Sequence, residues 1–323
     1  MTLRLCAGTI DGMPRVFAIV NPVAGKARGA RLRAQAIDEL KRLFPEIVFA
    51  ETNAPGHATA LAQSAKDAEL IIAVGGDGTV REVVSGLLSA NSQPATRNSS
   101  LAVIPVGSCN DLPKNIGIPA DVIQACRAAK EGRTRPIDVI RVEMSHDGNI
   151  QQTYFANAAG FGFDAMVTTE AQKSKHLRGM LLYLVAIIRT LRHLECPLVR
   201  IRAGEFEAEQ RVLMVAAANG QYYGGGLKVA PEALPDDGLI EVCIGWEMGW
   251  WSTLKKLPRF VAGTHVTLKE VRMLRTPELE LEFLEPVLIE LDGDLLVPQP
   301  FSRFRLTALP KAINIRVPQA IVS

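Results

Sequence analysis

A chain of 323 residues exceeds one typical domain, so two units are expected, each large enough to bury its own core. Its 48% hydrophobic and 22% charged residues are those of an ordinary soluble globular protein, and a net charge of +2 is too mild for a nucleic-acid partner. The start, MTLRLCAGTIDGMPR, lacks the apolar run of a secretory signal. The longest apolar run, Met180 to Ile188, falls far short of the roughly 20 residues that span a bilayer. The five cysteines (Cys6, Cys109, Cys126, Cys196, Cys243) are scattered, with no CxxC pair, which points to free thiols in a reducing cytosol.

Along the chain, short apolar runs with β-branched residues come first: Val16–Val20, Ile47–Glu51, Leu70–Val74 and Leu101–Val106. Between them lie helical patterns, ARLRAQAIDELKRLF, HATALAQSAKDAE and TVREVVSGLLSA. In the last, Val83, Val84, Leu87 and Leu88 share one face, and Thr79 with Glu82 reads as a capping box at its start. Asp121–Gly132 adds another helix. This alternation predicts a mostly parallel sheet with helices on both faces, over residues 1–140.

From residue 141 to 323 the texture is that of an antiparallel β domain. Strands are predicted at Arg135–Glu143, Gln151–Ala158, Val199–Glu209, Val212–Ala218, Leu239–Ile244 and Leu279–Phe283. Asp147-Gly148 and Asp292-Gly293 are hairpin dipeptides. Helical insertions are expected near Thr168–His193 and Trp250–Thr264, and the last strand can pack back on the first domain.

Three loops stand where a parallel sheet binds ligands, beyond the carboxyl ends of its strands: Asn21–Lys26, Gly75–Thr79 and Gly107–Asp111. Glycine lets backbone N–H groups approach phosphate oxygens, and a helix N-terminus adds partial positive charge. The three together point to a polyphosphate site, although VAGKARG lacks the spacing of GxxxxGK[ST] and GGDGTVRE lacks the third glycine of GxGxxG. A carboxylate beside phosphates repels them unless a cation intervenes, so Asp77 argues for Mg²⁺. The alternative is that Asp77 orders its own loop by hydrogen bonding.

GGDGT with GSCND downstream, NPVAGK upstream and late DDG and DGD motifs resembles the diacylglycerol kinase catalytic family, most closely its bacterial lipid kinase branch, over about Val16 to Leu306. Sphingosine and ceramide kinases are more distant members. The resemblance implies an ATP-dependent kinase acting on a lipid hydroxyl, with a phosphofructokinase-like α/β domain, a β-sandwich and an active site in the cleft between them. It further implies nucleotide contacts from Asn21, Gly25, Lys26, Thr52, Gly75, Gly76, Asp77, Gly78, Thr79, Val80, Arg81 and Ser108. Asp77 and Asp111 match acids around the catalytic magnesium. Leu234, Asp237 and Leu239 match a second, structural magnesium site, whose plain alternative is an Asp-Gly turn. Ala24 replaces a serine, Arg81 an asparagine and Ser108 a threonine common in the family.

The family's late motif usually reads DGE, its glutamate taken as the base that removes the lipid hydroxyl proton. Here the match is Asp294, one methylene shorter by about 1.5 Å of reach. Without the resemblance, Asp294 is the first residue returning from a hairpin.

QKSKHLRGMLLYLVAIIRTLRHL combines Lys173, Lys175, Arg178, Arg189 and Arg192 with an apolar middle, and WEMGWWSTLKKLPRF places tryptophans near lysines. Both suit peripheral contact with an anionic membrane face, or a helix packed on the sandwich with a solvated basic edge. The histidines show no metal-ligand spacing. The expectation is a cytoplasmic enzyme working at the inner membrane face, with a homodimer left open. Two rivals stand beside it: a soluble-substrate kinase such as an NAD kinase, and a non-catalytic nucleotide- or lipid-binding protein.

Overall fold

The computed structural model describes residues 9–10, 13–65, 68–89, 99–173, 179–191, 196–295 and 299–319. The chain divides into two compact units, Met1–Ile137 with Lys311–Ser323, and Asp138–Pro310.

The first unit opens with a short antiparallel ribbon, β1 (Thr9–Ile10) with β2 (Met13–Pro14). Four parallel strands follow: β3 (Val16–Val20), β4 (Val48–Glu51), β5 (Leu70–Gly75) and β6 (Ser100–Pro105). They stand in the order β4-β3-β5-β6, with Val20 beside Val74 and Val74 beside Ile104. Every residue of β5 is buried, as expected of a central strand covered on both faces. Among the described residues five α-helices belong to this unit: α1 (Lys26–Leu43), α2 (His57–Ser64), α3 (Asp77–Leu88), α4 (Asp111–Asn115) and α5 (Val122–Glu131). Helix α3 buries Val80, Val83, Val84, Leu87 and Leu88, the face its periodicity marks, with Val80 added.

The expected capping box is not formed. Helix α3 begins at Asp77 with Gly76 as N-cap and no side-chain cap. Glu82 instead accepts from Gly56 N (2.8 Å) and Ala58 N (3.1 Å), serving the start of α2. A helix start two residues earlier than Thr79 carries Glu82 out of reach of its own N-terminus.

The second unit is antiparallel. It takes the later part of β7 (Arg133–His146), then β8 (Asn149–Phe155), β9 (Ala158–Gly162), β10 (Leu198–Ala203), β11 (Phe206–Ala218), β12 (Ile240–Trp246), β13 (Val271–Thr276), β14 (Glu278–Val287), β15 (Ile289–Leu291), β16 (Asp294–Leu295) and most of β17 (Phe301–Val317). One path runs β16-β15-β9-β11-β10-β14-β17, and β12 joins β11 to β13. Its core gathers Ile140, Phe161, Val215, Leu281, Phe283 and Phe304, with Phe161 and Phe304 edge-to-face at 4.9 Å. The Glu-Leu alternation of β14 holds: Leu279, Leu281 and Phe283 face inward, and Glu282 pairs outward with Arg303. Asp147-Gly148 and Asp292-Gly293 both turn with positive φ, as two-residue hairpins require.

The run Val199–Glu209 is not one strand. It folds back at Gly204 (φ 59°), so β10 and β11 form a hairpin, and β11 continues unbroken through Val212–Ala218. The first helical insertion starts earlier than Thr168 and holds two helices, α6 (Phe163–Gln172) and α7 (Gly179–Thr190); the second is α8 (Trp250–Ala262). Strand β17 pairs Phe304 with Leu281 of β14, while Asn314 and Ile315 lie parallel to Ser100 and Leu101 of β6.

Candidate functional site

In the first unit the turns after β3, β5 and β6 converge. Main-chain bonds fix them: Asn21 N donates to Val74 O (3.0 Å), Val106 N to Gly75 O (3.0 Å) and Thr52 N to Val20 O (2.9 Å). Asn21 Nδ2 donates to Thr79 Oγ1 (2.9 Å) and its Oδ1 accepts from Val23 N (3.0 Å), tying the first loop to the second.

The glycines here are required by contact between loops. A Cβ on Gly107 would stand 2.5 Å from Gly76 Cα, and one on Gly25 would stand 2.0 Å from Val106 O. At Gly75 it would meet the Thr79 side chain at 2.4 Å. Close backbone approach is thus satisfied by the protein itself, and any phosphate adds to that demand instead of creating it.

Asp77 and Asp111 are brought together. The two oxygens of Asp77 accept from Asp111 N and Leu112 N, each at 3.2 Å, at the start of α4. The Asp77 carboxylate thus meets the main chain of Asp111, and among the described residues no group of three or more His, Cys, Asp or Glu side chains is placed to hold a metal ion. A magnesium ion here would draw on at most these two carboxylates, with water and phosphate oxygens completing its shell. Asn110 (φ 56°) braces the third loop by accepting from Gly107 N and donating to Gly107 O, both at 3.1 Å.

Helix starts differ in how they are served. Carboxylates meet those of α2 and α4, whereas α1, starting after Gly25, and α3, starting after Gly76, carry no side-chain cap. Uncapped N-termini present N–H groups and partial positive charge that suit an anion, offset at α3 by the Asp77 carboxylate in its first turn; α6 and α8 lack a side-chain cap as well. Gly76, Asp77 and Gly78 are partly accessible and Ser108 is exposed. Thr79, Val80 and Arg81 are buried; the Val80 side chain belongs to the core and its N–H is spent on Gly76 O (3.1 Å). Arg81 Nε is buried with no hydrogen-bond partner among the described residues. Lys26 opens α1, and its side chain lies outside the described residues.

In the second unit, Asp294 begins β16 opposite Leu291, on the exposed return of the Asp292-Gly293 turn. The turn is anchored by Asp292, whose carboxylate accepts from the main chain of Ala156, Asn157 and Ala158. At the expected structural magnesium site, Asp237 Oδ1 accepts from Leu239 N (3.0 Å) and Oδ2 is ion-paired with Arg275, while Leu234 is half exposed.

Sequence reasoning missed a cavity of about 60 Å³ within this unit. Val167, Ile187, Leu213, Leu257 and Phe260 line it, with Asp164 as its carboxyl. Burial raises the Asp164 pKa to about 7, and its Oδ2 finds no hydrogen-bond partner among the described residues. Nearby, fully buried Glu290 is pushed well above the usual carboxylate range by burial, against the Tyr223 hydroxyl, with Asp164, Asp292 and Asp294 adding to the rise. A lone Asp in the stretch GFGFDA was the available signal.

Exposed apolar side chains stand on α7 (Leu181, Ile188) and α8 (Trp250, Trp251, rings stacked at 3.8 Å). Lys173 and Arg189 both pair with Glu170; Lys175, Arg178 and Arg192 lie outside the described residues. Among the described residues no helix is long and apolar enough to cross a membrane.

Comparison with known proteins fits this layout. Residues 15–142 match the diacylglycerol kinase catalytic domain, and residues 157–317 match a domain described as YegS C-terminal NAD kinase beta sandwich-like. A protein of Pectobacterium atrosepticum named "Probable lipid kinase YegS-like" is 30% identical over 94% of this chain and 96% of its own length. A diacylglycerol kinase crystal structure from Bacillus anthracis superposes with a TM-score of 0.70 at 22% identity, covering 95% of this chain and 98% of the other. Yeast NADH kinase, solved with NADH, gives a TM-score of 0.52 at 12% identity over 93% of this chain and 82% of the other, so the fold is common to kinases with different acceptors.

Proposed function

The chain belongs to the YegS-like branch of the diacylglycerol kinase catalytic family, and from that membership we propose that it transfers the γ-phosphoryl group of ATP to a lipid hydroxyl. The triphosphate is received by the uncapped starts of α1 and α3 and by the main chain of the glycine loops, with Asn21, Thr52 and Ser108 at their rim. Asp77 and Asp111 would hold a Mg²⁺, which would supply charge neutralisation on the phosphates. Asp294 accepts the hydroxyl proton as the new P–O bond forms, and ADP leaves.

The observation that favours a lipid acceptor over a soluble one is the apolar cavity of the second unit with its single lining carboxyl. At about 60 Å³ the cavity can take an alkyl segment and is too small for a nicotinamide nucleotide. The tryptophans of α8 and the exposed apolar residues of α7 support work at a membrane surface.

The test is incubation of the purified protein with γ-³²P-labelled ATP, Mg²⁺ and either a total lipid extract or NAD. Label in a chloroform-soluble product is expected. Label in NAD alone would replace the lipid reading by the soluble one, and ATP binding without labelled product would leave a binding protein.

A further inference from the structure

We propose that Arg275 is a built-in counter-ion for the Leu234–Leu239 turn, and that the second unit holds this turn without a divalent cation at Asp237. The resemblance to lipid kinases places a structural Mg²⁺ here, on Asp237 and the carbonyls of Leu234 and Leu239. The side chains present do not fit one. Both oxygens of Asp237 are engaged, Oδ1 with Leu239 N at 3.0 Å and Oδ2 with an Arg275 terminal nitrogen. The same guanidinium reaches Glu241 Oε2 through Nε at 3.2 Å. Arg275 and Glu241 are cross-strand partners of β13 and β12, so the cation is delivered by sheet register, independent of chance rotamers on a loop.

The turn has a second tether that also needs no metal. Asp138 Oδ2 accepts from Gly238 N at 2.6 Å, and Asp138 N donates to Pro235 O at 2.7 Å. Asp138 is fully buried, and its own carbonyl accepts from Asn219 Nδ2 at 3.0 Å. Glu241 is nearly buried; burial raises its pKa, Arg275 opposes the rise, and Glu232 and Asp237 add to it. Removing the guanidinium would leave Asp237 and Glu241 facing each other uncompensated, the arrangement that attracts a dication. With the guanidinium present, a dication at Asp237 meets a fixed positive charge at contact distance and must displace an ion pair as well.

The experiment uses the full chain without nucleotide. Amide NMR spectra are recorded through a Mn²⁺ titration, and thermal unfolding is followed in EDTA and in millimolar Mg²⁺, for wild type, Arg275→Ala, Arg275→Lys and Asp237→Asn. In wild type the Gly238 and Leu239 amides are expected to stay sharp, with any Mg²⁺ shift in melting temperature preserved in Asp237→Asn. Arg275→Ala is expected to lose several degrees in EDTA, regain most of them in Mg²⁺ and show Mn²⁺ broadening at Gly238 and Leu239; Arg275→Lys stays close to wild type. Selective broadening of Gly238 and Leu239 in wild type, removed by Asp237→Asn, would overturn the proposal. That readout needs no folded Arg275→Ala protein, and it does not depend on which acceptor is phosphorylated.

Discussion

Asp294 is an exposed carboxylate on a two-residue return strand, held in place by Asp292 and its three main-chain bonds. Its shorter stem is compatible with the role of base only if the hydroxyl comes to it, because about 1 Å of misplacement can cost on the order of 100-fold. Asp294→Ala is therefore expected to lower kcat at least about 100-fold with little change in KM for ATP, in a labelled-phosphate transfer assay. Asp294→Glu should keep turnover within about tenfold of wild type; activity appearing only in that variant would mean the native chain is a binder. The glycine loops were legible as a ligand-facing pattern, but the reason for each glycine was not. Gly107 lies against Gly76, a contact between residues 31 positions apart in sequence that no local pattern encodes. Gly107→Ala should destabilise the protein by about 1–3 kcal/mol in urea unfolding, whether or not nucleotide is present.

Elements explain where the sequence misled. Thr79-x-x-Glu82 is a sound local signature, yet its glutamate joins α3 to α2, so Glu82→Ala should cost about 0.5–2 kcal/mol through the lost amide partners of α2. Ile289 and Leu291 of β15, a strand absent from the expected set, enter the core. The other face lies against α6, so Glu290 is buried, a fact that depends on a helix more than a hundred residues earlier. Asp164 on α6 shares that environment, and its folded pKa of about 7 lies above the unfolded value near 3.9. The folded state then binds the extra proton between those values. Its contribution is complete below about pH 4 and is lost as pH rises to about 7. Asp164→Asn should gain stability relative to wild type across that window, by up to about 4 kcal/mol at pH 8, measured by unfolding at a series of pH values. Hairpins divide by the same logic: Asp147-Gly148 is an Asp-Gly pair suited to positive φ at both positions, whereas Ala203-Gly204-Glu205 has no Asn or Asp before its glycine and reads as continuous strand.

For the molecule as a whole, strand–helix alternation giving way to strands was enough to foresee an α/β unit and an antiparallel one, because period 3.6 and period 2 are written in every element. The apolar cavity was not legible, since its walls come from α6, α7, α8 and β11, elements scattered over about a hundred residues of sequence. If the exposed face of α8 meets lipid, Trp250→Ser with Trp251→Ser should lower binding to anionic vesicles severalfold in sedimentation, and leave turnover of detergent-dispersed lipid largely intact. The last strand has a consequence for biosynthesis. Residues 311–323 belong to the same unit as residues 1–137, and Asn314 and Ile315 cover the edge of β6. While residues 138–310 are being translated, at roughly 5–20 per second, the nascent first unit keeps an open sheet margin. It can close only once Asn314 and Ile315 are available to β6, after the second unit has been synthesised, and holdase chaperones have a window of at least seconds in which to occupy that margin.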